Sequence, residues 1–260
     1  MESILLYHCR ALLMDEENTL LDPAYVVVEG ERIAAVSSTR PQGPFAQEID
    51  CGGNVLMPGL VNAHTHIPMT LMRGYAGGCD LHTWLNDWIF PAEAKLDDRA
   101  VRAGADLALA ELIAGGVTTI ADMYMHTPAI AQAVLAAGIS ANLSCGGVYF
   151  GAPGDFSPAA CPDCDHQRQL TEEFHGAGNG QILVDASIHG EYTSNVPLWQ
   201  WMADYAQRKG LGMHVHVSET QSEHEGSLTR WGLTPFRILD RYGVWDTRAI
   251  AAHCVWTTED

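Results

Sequence analysis

Two histidine pairs are the residues of this sequence best suited to chemistry. They are His64-x-His66 and His214-x-His216, and one residue separates the two imidazoles of each pair. Alternate residues of a β-strand share a face, so each pair can aim two imidazoles at one point. Neutral imidazole binds Zn²⁺ well and also accepts Fe²⁺. The spacing therefore predicts a site for one divalent metal ion, with Zn²⁺ favoured and Fe²⁺ as the alternative.

The second pair requires a choice between its members. His216 is nearer the carboxyl end of its predicted strand, and His214 is one layer deeper. Barrel enzymes build their sites at the carboxyl ends of their strands. We therefore assign His64, His66 and His216 as the metal ligands and His214 as a core or supporting histidine.

Three further residues lie near the carboxyl ends of predicted strands, at the same rim. Glu219 can exchange a proton with both a water and a substrate, as general acid–base catalysis requires. A helix-capping role is the alternative, but the Thr220-x-x-Glu223 pattern assigns that role to Glu223. His253 and His189 each end a predicted strand, where a histidine serves either a site or the core.

A lone Cys-x-x-Cys motif is the main competing signal. Cys161-Pro-Asp-Cys164 lies in a predicted loop, and His189-Gly-Glu191 is a His-x-Glu motif. Zinc cytidine deaminases place His-x-Glu before Pro-Cys-x-x-Cys. Here a Cys-x-x-Cys without that proline precedes the His-x-Glu, so this fold is rejected, and metal binding or a disulfide at Cys161 and Cys164 is a minor alternative.

Strands that end side by side must position these residues, and six apolar runs supply them. They alternate with helical segments that are bounded by residues such as Asp97 and Gly138. This alternation predicts an α/β fold with parallel strands, a (β/α)₈ TIM-type barrel. A closed barrel needs about 250 residues, so residues 58–260 predict one truncated after about six strands. The runs are 59–64, 117–124, 139–145, 182–189, 212–217 and 249–255.

Residues 1–57 have a different pattern. Two β-rich runs, 25–29 and 32–36, flank Gly30 and predict a hairpin, and a broken strand follows around residues 49–56. We expect residues 1–57 to be the N-terminal part of a small β domain, followed by the barrel domain at 58–260.

Composition excludes several classes of protein. The 260 residues carry a formal net charge of −18, which disfavours nucleic acid and anionic membrane surfaces as partners. No apolar run approaches the roughly 18 residues that span a bilayer, and the N-terminus lacks a signal-peptide pattern. Seven scattered cysteines favour a reducing, cytoplasmic location. We expect a small-molecule substrate; a homo-oligomer is one option that the sequence leaves open.

Four motifs together resemble a known family. They are MPGLVNAHTHIPMTLMRG, TTIADMY, HVSET and AAHCV, in this order. They are similar to the amidohydrolase superfamily, and within it to the 5-methylthioadenosine/S-adenosylhomocysteine deaminases, with the triazine chlorohydrolases nearby. The resemblance covers essentially the whole chain and implies a metal-dependent hydrolase barrel beside a small β-sandwich.

The resemblance also implies a reaction and a role for each site residue. A metal-bound hydroxide attacks the amine-bearing carbon of an adenine nucleoside or related heterocycle, and ammonia leaves. By this likeness Glu219 passes a proton to the ring nitrogen and His253 assists the attacking water. Glu93 matches a contact to the ribose hydroxyls, and His189 matches a substrate-binding histidine.

Two departures from the family pattern carry expectations of their own. The family's aspartate ligand after strand eight has no counterpart, so the 260-residue chain alone is expected to be inactive. Cys145 stands where these deaminases tend to place an arginine, and cysteine cannot pair with a carboxylate as arginine does. We therefore expect adenosine or its 5′-deoxy and 5′-thio derivatives to be preferred over S-adenosylhomocysteine. A triazine hydrolase and a non-catalytic metal binder are the alternatives.

Overall fold

The computed structural model describes residues 3–259, which divide into two compact units. The first unit ends at Leu60 and the second begins at Val61. Met1, Glu2 and Asp260 lie outside the described residues.

The first unit is a five-stranded sheet in the order β3-β2-β1-β4, with β5 also paired to β1. The predicted hairpin is present, and Gly30 in its turn adopts φ +59°, a conformation that glycine reaches without steric cost. The sequence did not reveal β1, because a bulge near His8 (φ +53°) interrupts its apolar alternation. The strands are Ser3–Leu12 (β1), Leu20–Glu29 (β2), Arg32–Ser37 (β3), Gln47–Asp50 (β4) and Val55–Leu56 (β5).

The second unit alternates strands and helices, as its sequence predicts. Within the described residues its strands form two sheets, in the orders β6-β7-β8-β9 and β10-β11-β12. The pairings of β7 with β8, β8 with β9, β10 with β11 and β11 with β12 are parallel. The strands are Leu60–Thr65 (β6), Val117–Met123 (β7), Ser140–Ser144 (β8), Ile182–Val184 (β9), Ala186–Gly190 (β10), Met213–Val217 (β11) and Ala249–His253 (β12).

The fourth predicted strand is interrupted at Asp185, which separates β9 from β10. The buried Asp185 carboxylate accepts hydrogen bonds from the Gly212 N–H at 2.9 Å and the Arg248 guanidinium at 2.6 Å. A charged side chain that must be paired in the interior replaces an apolar one at this point. The sixth strand ends at His253, two residues earlier than predicted.

Within residues 3–259, six helices of seven or more residues alternate with the strands of the second unit. The Asp97 side chain caps the first one by accepting the Ala100 N–H, as predicted. The second begins at Thr127, directly after His126 in the left-handed conformation, and ends before Gly138, as predicted. They are Asp98–Ala114 (α1), Thr127–Ala137 (α2), Pro162–Phe174 (α3), Val196–Lys209 (α4), Gln221–Trp231 (α5) and Pro235–Arg241 (α6).

Short helical segments complete the connections between these elements. They are Ile67–Met72, Leu81–Thr83, Trp84–Ile89, Phe90–Glu93, Pro153–Asp155, Ala177–Gly180 and Glu191–Thr193. In the part of the chain that the structure describes, no helix is both long enough and apolar enough to cross a membrane.

The Cys-x-x-Cys motif lies at the start of α3, not in a loop. Cys161 is the residue before the helix and Cys164 lies in its first turn. Both side chains are buried in the same apolar core as Met202. Burial raises the pKa of the Cys164 thiol, so this cysteine is a protonated core residue rather than a reactive thiolate.

Candidate active site

Four imidazoles meet where β6, β11 and β12 end. The centre of the His64 ring lies 4.8 Å from that of His66, 4.9 Å from that of His216 and 5.0 Å from that of His253. Three strands far apart in sequence thus bring residues at or next to their carboxyl ends to one place.

The nitrogen atoms of this cluster suit a metal ion. Nε2 of His64 and both ring nitrogens of His216 are buried and have no hydrogen-bond partner within residues 3–259. A buried polar atom without a partner is costly, and one cation can satisfy several such nitrogens. Ligand atoms of His64, His216 and His253 all lie within 4.8 Å of one another. The residues present therefore fit a divalent metal.

Burial holds these imidazoles in the neutral form that a metal requires. It lowers the pKa of His64 to about 4, with help from neighbouring histidines. Burial and the same neighbours hold the pKa of His216 well below its usual range. Burial also lowers the pKa of His253 and of His66, although the Met123 carbonyl opposes the shift at His66. At neutral pH each ring offers a lone pair.

His66 is oriented by the backbone of the neighbouring strand. Its Nδ1 is hydrogen-bonded to the Met123 carbonyl, which can only accept, so the proton is on Nδ1 and the Nε2 lone pair is free. This backbone contact is typical of histidines that bind metal. The nitrogen atoms that lie within 4.8 Å of one another nonetheless belong to His64, His216 and His253, whereas the sequence predicted His66 rather than His253 as the third ligand.

Glu219 follows β11 with its carboxylate unused by the helix cap. Glu223 accepts hydrogen bonds from the Ser218 and Glu219 backbone N–H groups, both at 2.8 Å, while the Thr220 hydroxyl accepts the Glu223 N–H at 3.2 Å. Burial raises the pKa of Glu219. Its Oε1 lies 3.7 Å from Nε2 of His253, so its side chain faces the cluster.

His189 lies next to His216, and Glu93 is bound to Tyr124, whose ring centre is 6.3 Å from that of His66. The His189 ring centre is 4.7 Å from that of His216, and its Nδ1 is 3.0 Å from the Thr193 hydroxyl. Burial lowers the pKa of His189 to about 4. Glu93 is buried and accepts a 2.7 Å hydrogen bond from the Tyr124 hydroxyl. Burial raises the pKa of Glu93, and this hydrogen bond opposes the shift.

Asp122, which contacts the residue after His66, was not singled out from the sequence. Asp122 is fully buried, and its Oδ1 accepts the Ile67 N–H at 2.6 Å, directly after His66. Burial raises the pKa of Asp122 to about 7. The sequence signal was the TTIADMY motif itself, in which Asp122 is the next-to-last residue of β7.

The Cys145 side chain contacts other residues of the protein. Its thiol lies 3.4 Å from the Gln167 side-chain oxygen and 3.7 Å from the Ser187 hydroxyl. Burial raises its pKa to about 12. The thiol is therefore protonated and engaged by neighbouring side chains.

The sequence profile of the amidohydrolase family matches residues 55–260. The chain belongs to the amidohydrolase family. The four clustered histidines and His189 fall within the matched part of this amidohydrolase.

Two curated relatives carry names that describe deaminases. The 5′-deoxyadenosine deaminase of Methanothermobacter thermautotrophicus is 39% identical over 231 residues, which are 89% of this chain and 53% of that protein. The 5-methylthioadenosine/S-adenosylhomocysteine deaminase of Moorella thermoacetica is 38% identical, over 82% of this chain and 48% of that protein. This amidohydrolase thus spans about half the length of the curated relatives it matches.

Solved structures share the fold. A zinc-bound adenosine deaminase from Xanthomonas campestris has a TM-score of 0.86 and 30% identity, over 98% of this chain and 58% of that one. A zinc complex of atrazine chlorohydrolase from Arthrobacter aurescens has a TM-score of 0.81 and 22% identity, over 93% and 58%. The second likeness concerns the fold alone.

Proposed function

We propose that this chain is part of a metal-dependent hydrolytic deaminase that acts on an adenine nucleoside. The observation that carries the proposal is the convergence of His64, His66, His216 and His253 with unpartnered nitrogens beside the free carboxylate of Glu219. The names of the curated relatives support the same reaction class.

One divalent ion is proposed for this site, Zn²⁺ rather than Fe²⁺. His64, His66 and His216 would hold it, with His253 on the same side of the cluster. The zinc in the similar adenosine deaminase structure supports this choice. When bound, such a cation acts as a Lewis acid that activates water at neutral pH.

The protein's own groups would move the protons. The pKa of Glu219 is raised by burial, so its carboxyl group is suited to deliver a proton to the ring nitrogen beside the reacting carbon. The neutral imidazole of His253, 3.7 Å away, would accept a proton from the attacking water. His189 would contact the base, and Glu93, held by Tyr124, would accept hydrogen bonds from the ribose hydroxyls.

The substrate proposal extends to the 5′ position. Residues 145–161, which follow β8, contain no lysine or arginine, and the Cys145 thiol is occupied by Gln167 and Ser187. Adenosine and its 5′-deoxy and 5′-thio derivatives should therefore be preferred over S-adenosylhomocysteine, whose carboxylate would have no partner in this segment.

Further proposals concern the whole protein. We propose a cytoplasmic location, and we propose that the first unit belongs to a small β-sandwich domain. We also propose that the 260 residues by themselves do not turn over substrate, because the resemblance requires an aspartate ligand from a later strand.

The test compares the 260-residue chain with an extended chain. The extended chain joins these residues to the part of the Methanothermobacter relative that lies beyond the matched region. Both are supplied with Zn²⁺, and ammonia release is measured with adenosine, 5′-deoxyadenosine, 5-methylthioadenosine, S-adenosylhomocysteine and atrazine, the last also for chloride. We expect ammonia from adenosine, 5′-deoxyadenosine and 5-methylthioadenosine, and only with the extended chain.

Two other outcomes would contradict the proposal. Release of chloride from atrazine without turnover of any nucleoside would indicate a triazine hydrolase instead of a deaminase. Retained Zn²⁺ without turnover of any of these compounds would favour a non-catalytic binding protein.

A further inference from the structure

A chain of hydrogen bonds runs inward from the histidine cluster to the adjoining strands. Nδ1 of His64 lies 2.9 Å from Nε2 of His214, and Nδ1 of His214 lies 3.2 Å from the Ser144 hydroxyl oxygen. The Ser144 hydroxyl is in turn 3.2 Å from the Asp122 carbonyl oxygen, to which it donates. His214 and Ser144 are almost completely buried, so water does not compete for these bonds.

The direction of each hydrogen bond follows from the far end of this chain. The Asp122 carbonyl can only accept, so it takes the single hydroxyl proton of Ser144. The Ser144 oxygen must then accept from His214, which places the His214 proton on Nδ1. In a neutral imidazole Nε2 of His214 is then the acceptor, and the proton of the pair is on Nδ1 of His64.

This arrangement decides which nitrogen of His64 is free. With its proton on Nδ1, His64 carries its lone pair on Nε2, the buried atom that lacks a partner in the cluster. If these hydrogen bonds ran in the opposite direction, a proton would lie on Nε2 of His64 and would block metal binding. The same logic applies at His66, where a backbone carbonyl takes the place of His214.

We propose that Ser144 and His214 are positioning residues that hold His64 in the tautomer with a free Nε2, so that it can bind the metal. The proposal rests on the proposed function only in taking His64 as a ligand. Residues that orient a ligand in this way typically contribute about 10–100-fold to metal affinity.

Two substitutions at His214 form a matched pair. A glutamine places its amide oxygen near the former Nε2 and can accept from Nδ1 of His64. An asparagine is one methylene shorter and reaches only toward Ser144. We expect H214Q to bind Zn²⁺ within a few-fold of the parent chain, and H214N to bind it about 10–100-fold more weakly, as measured by competition with a chelator.

S144A tests the end of the hydrogen-bond series that lies farthest from His64. Without the hydroxyl acceptor, His214 would keep a buried N–H unpaired unless its proton moved to Nε2, which would reverse the bond to His64. We expect weaker Zn²⁺ binding in this variant, with circular dichroism to confirm that the parent and all three variants are folded.

A second measurement reads the tautomer without metal. In the metal-free chain labelled with ¹⁵N-histidine, the parent should show His64 protonated at Nδ1, and S144A should shift it toward Nε2. A parent His64 protonated at Nε2, or equal Zn²⁺ affinity for folded H214Q and H214N, would overturn the proposal. Loss of the deaminase proposal would leave these two results unchanged, because neither measurement uses a substrate.

Discussion

Oε1 of Glu219 lies 3.7 Å from Nε2 of His253, at the ends of the neighbouring strands β11 and β12. This separation is longer than a hydrogen bond, so neither group satisfies the other. Burial raises the pKa of the carboxyl group and lowers that of the imidazole, which favours the uncharged form of both. An acid and a base are thus placed side by side, and each can exchange a proton with a third group.

Replacing Glu219 with glutamine should separate catalysis from metal binding. The amide keeps the shape of the side chain but cannot transfer the proton. In the extended chain we expect E219Q to retain Zn²⁺ and to lose about 10²–10⁴-fold in kcat, the usual contribution of a general acid or base. The exposed Glu225 offers a matched control, and E225Q should keep the parent rate. Near-parent turnover by E219Q would remove this residue from the mechanism.

Metal content should depend on His216 and not on an exposed histidine that contacts none of the cluster residues. H216Q removes two buried ring nitrogens that lack partners among the described residues, so we expect it to lose most of the bound Zn²⁺. The exposed His166, whose Nδ1 lies 3.4 Å from an Asp163 oxygen, provides the control H166Q, which should bind as the parent does. Atomic absorption after dialysis measures both. Full Zn²⁺ occupancy in folded H216Q would refute the assignment.

The alternation of strands and helices was readable because it depends on local signals. Asp97 caps its helix as predicted, and all six predicted strands of the second unit are present. The interruption at Asp185 was not readable, since its carboxylate is satisfied by Gly212 and Arg248, which are distant in sequence. A pattern of neighbouring residues contains no information about such partners.

The site residues likewise divide into features that local sequence signals predict and contacts that depend on residues distant in sequence. The His-x-His spacing and the strand ends indicated where imidazoles would meet, and the capping pattern correctly left Glu219 free. The bonds of His64 to His214 and of His214 to Ser144 depend on which strands face each other. For the same reason the contact of the Cys145 thiol with Gln167 was not readable from the sequence.

Glu93 can be tested with a pair of substrates. The E93Q variant of the extended chain should lower kcat/KM for adenosine by about 10-fold or more, because hydrogen bonds to a charged group are worth about 1.5–3 kcal/mol. With 2′,3′-dideoxyadenosine, which lacks both ribose hydroxyls, E93Q and the parent should differ little. An equal loss on both substrates would show that Glu93 acts through Tyr124 and the fold rather than on the ribose.

Asp122 should give the metal-free chain a distinctive dependence of stability on pH. Burial raises its pKa to about 7, opposed by the Ile67 N–H bond, whereas an aspartate in the unfolded chain titrates near 3.9. Between these values the folded state binds the proton and the unfolded state does not, so stability falls as pH rises. The loss is about 1.4 kcal/mol per pH unit and levels off above pH 7.

The difference between the parent and D122N isolates this contribution. From pH 5 to pH 7 the unfolding free energy of the parent should fall relative to that of D122N by on the order of 2–3 kcal/mol, as measured by urea denaturation of the chelator-treated chain. D240N, at an exposed aspartate of α6, should track the parent at every pH. Parallel pH profiles for the parent and D122N would mean that Asp122 is already ionised at pH 5. Its carboxylate would then hold the Ile67 N–H, directly after His66, as a charged acceptor.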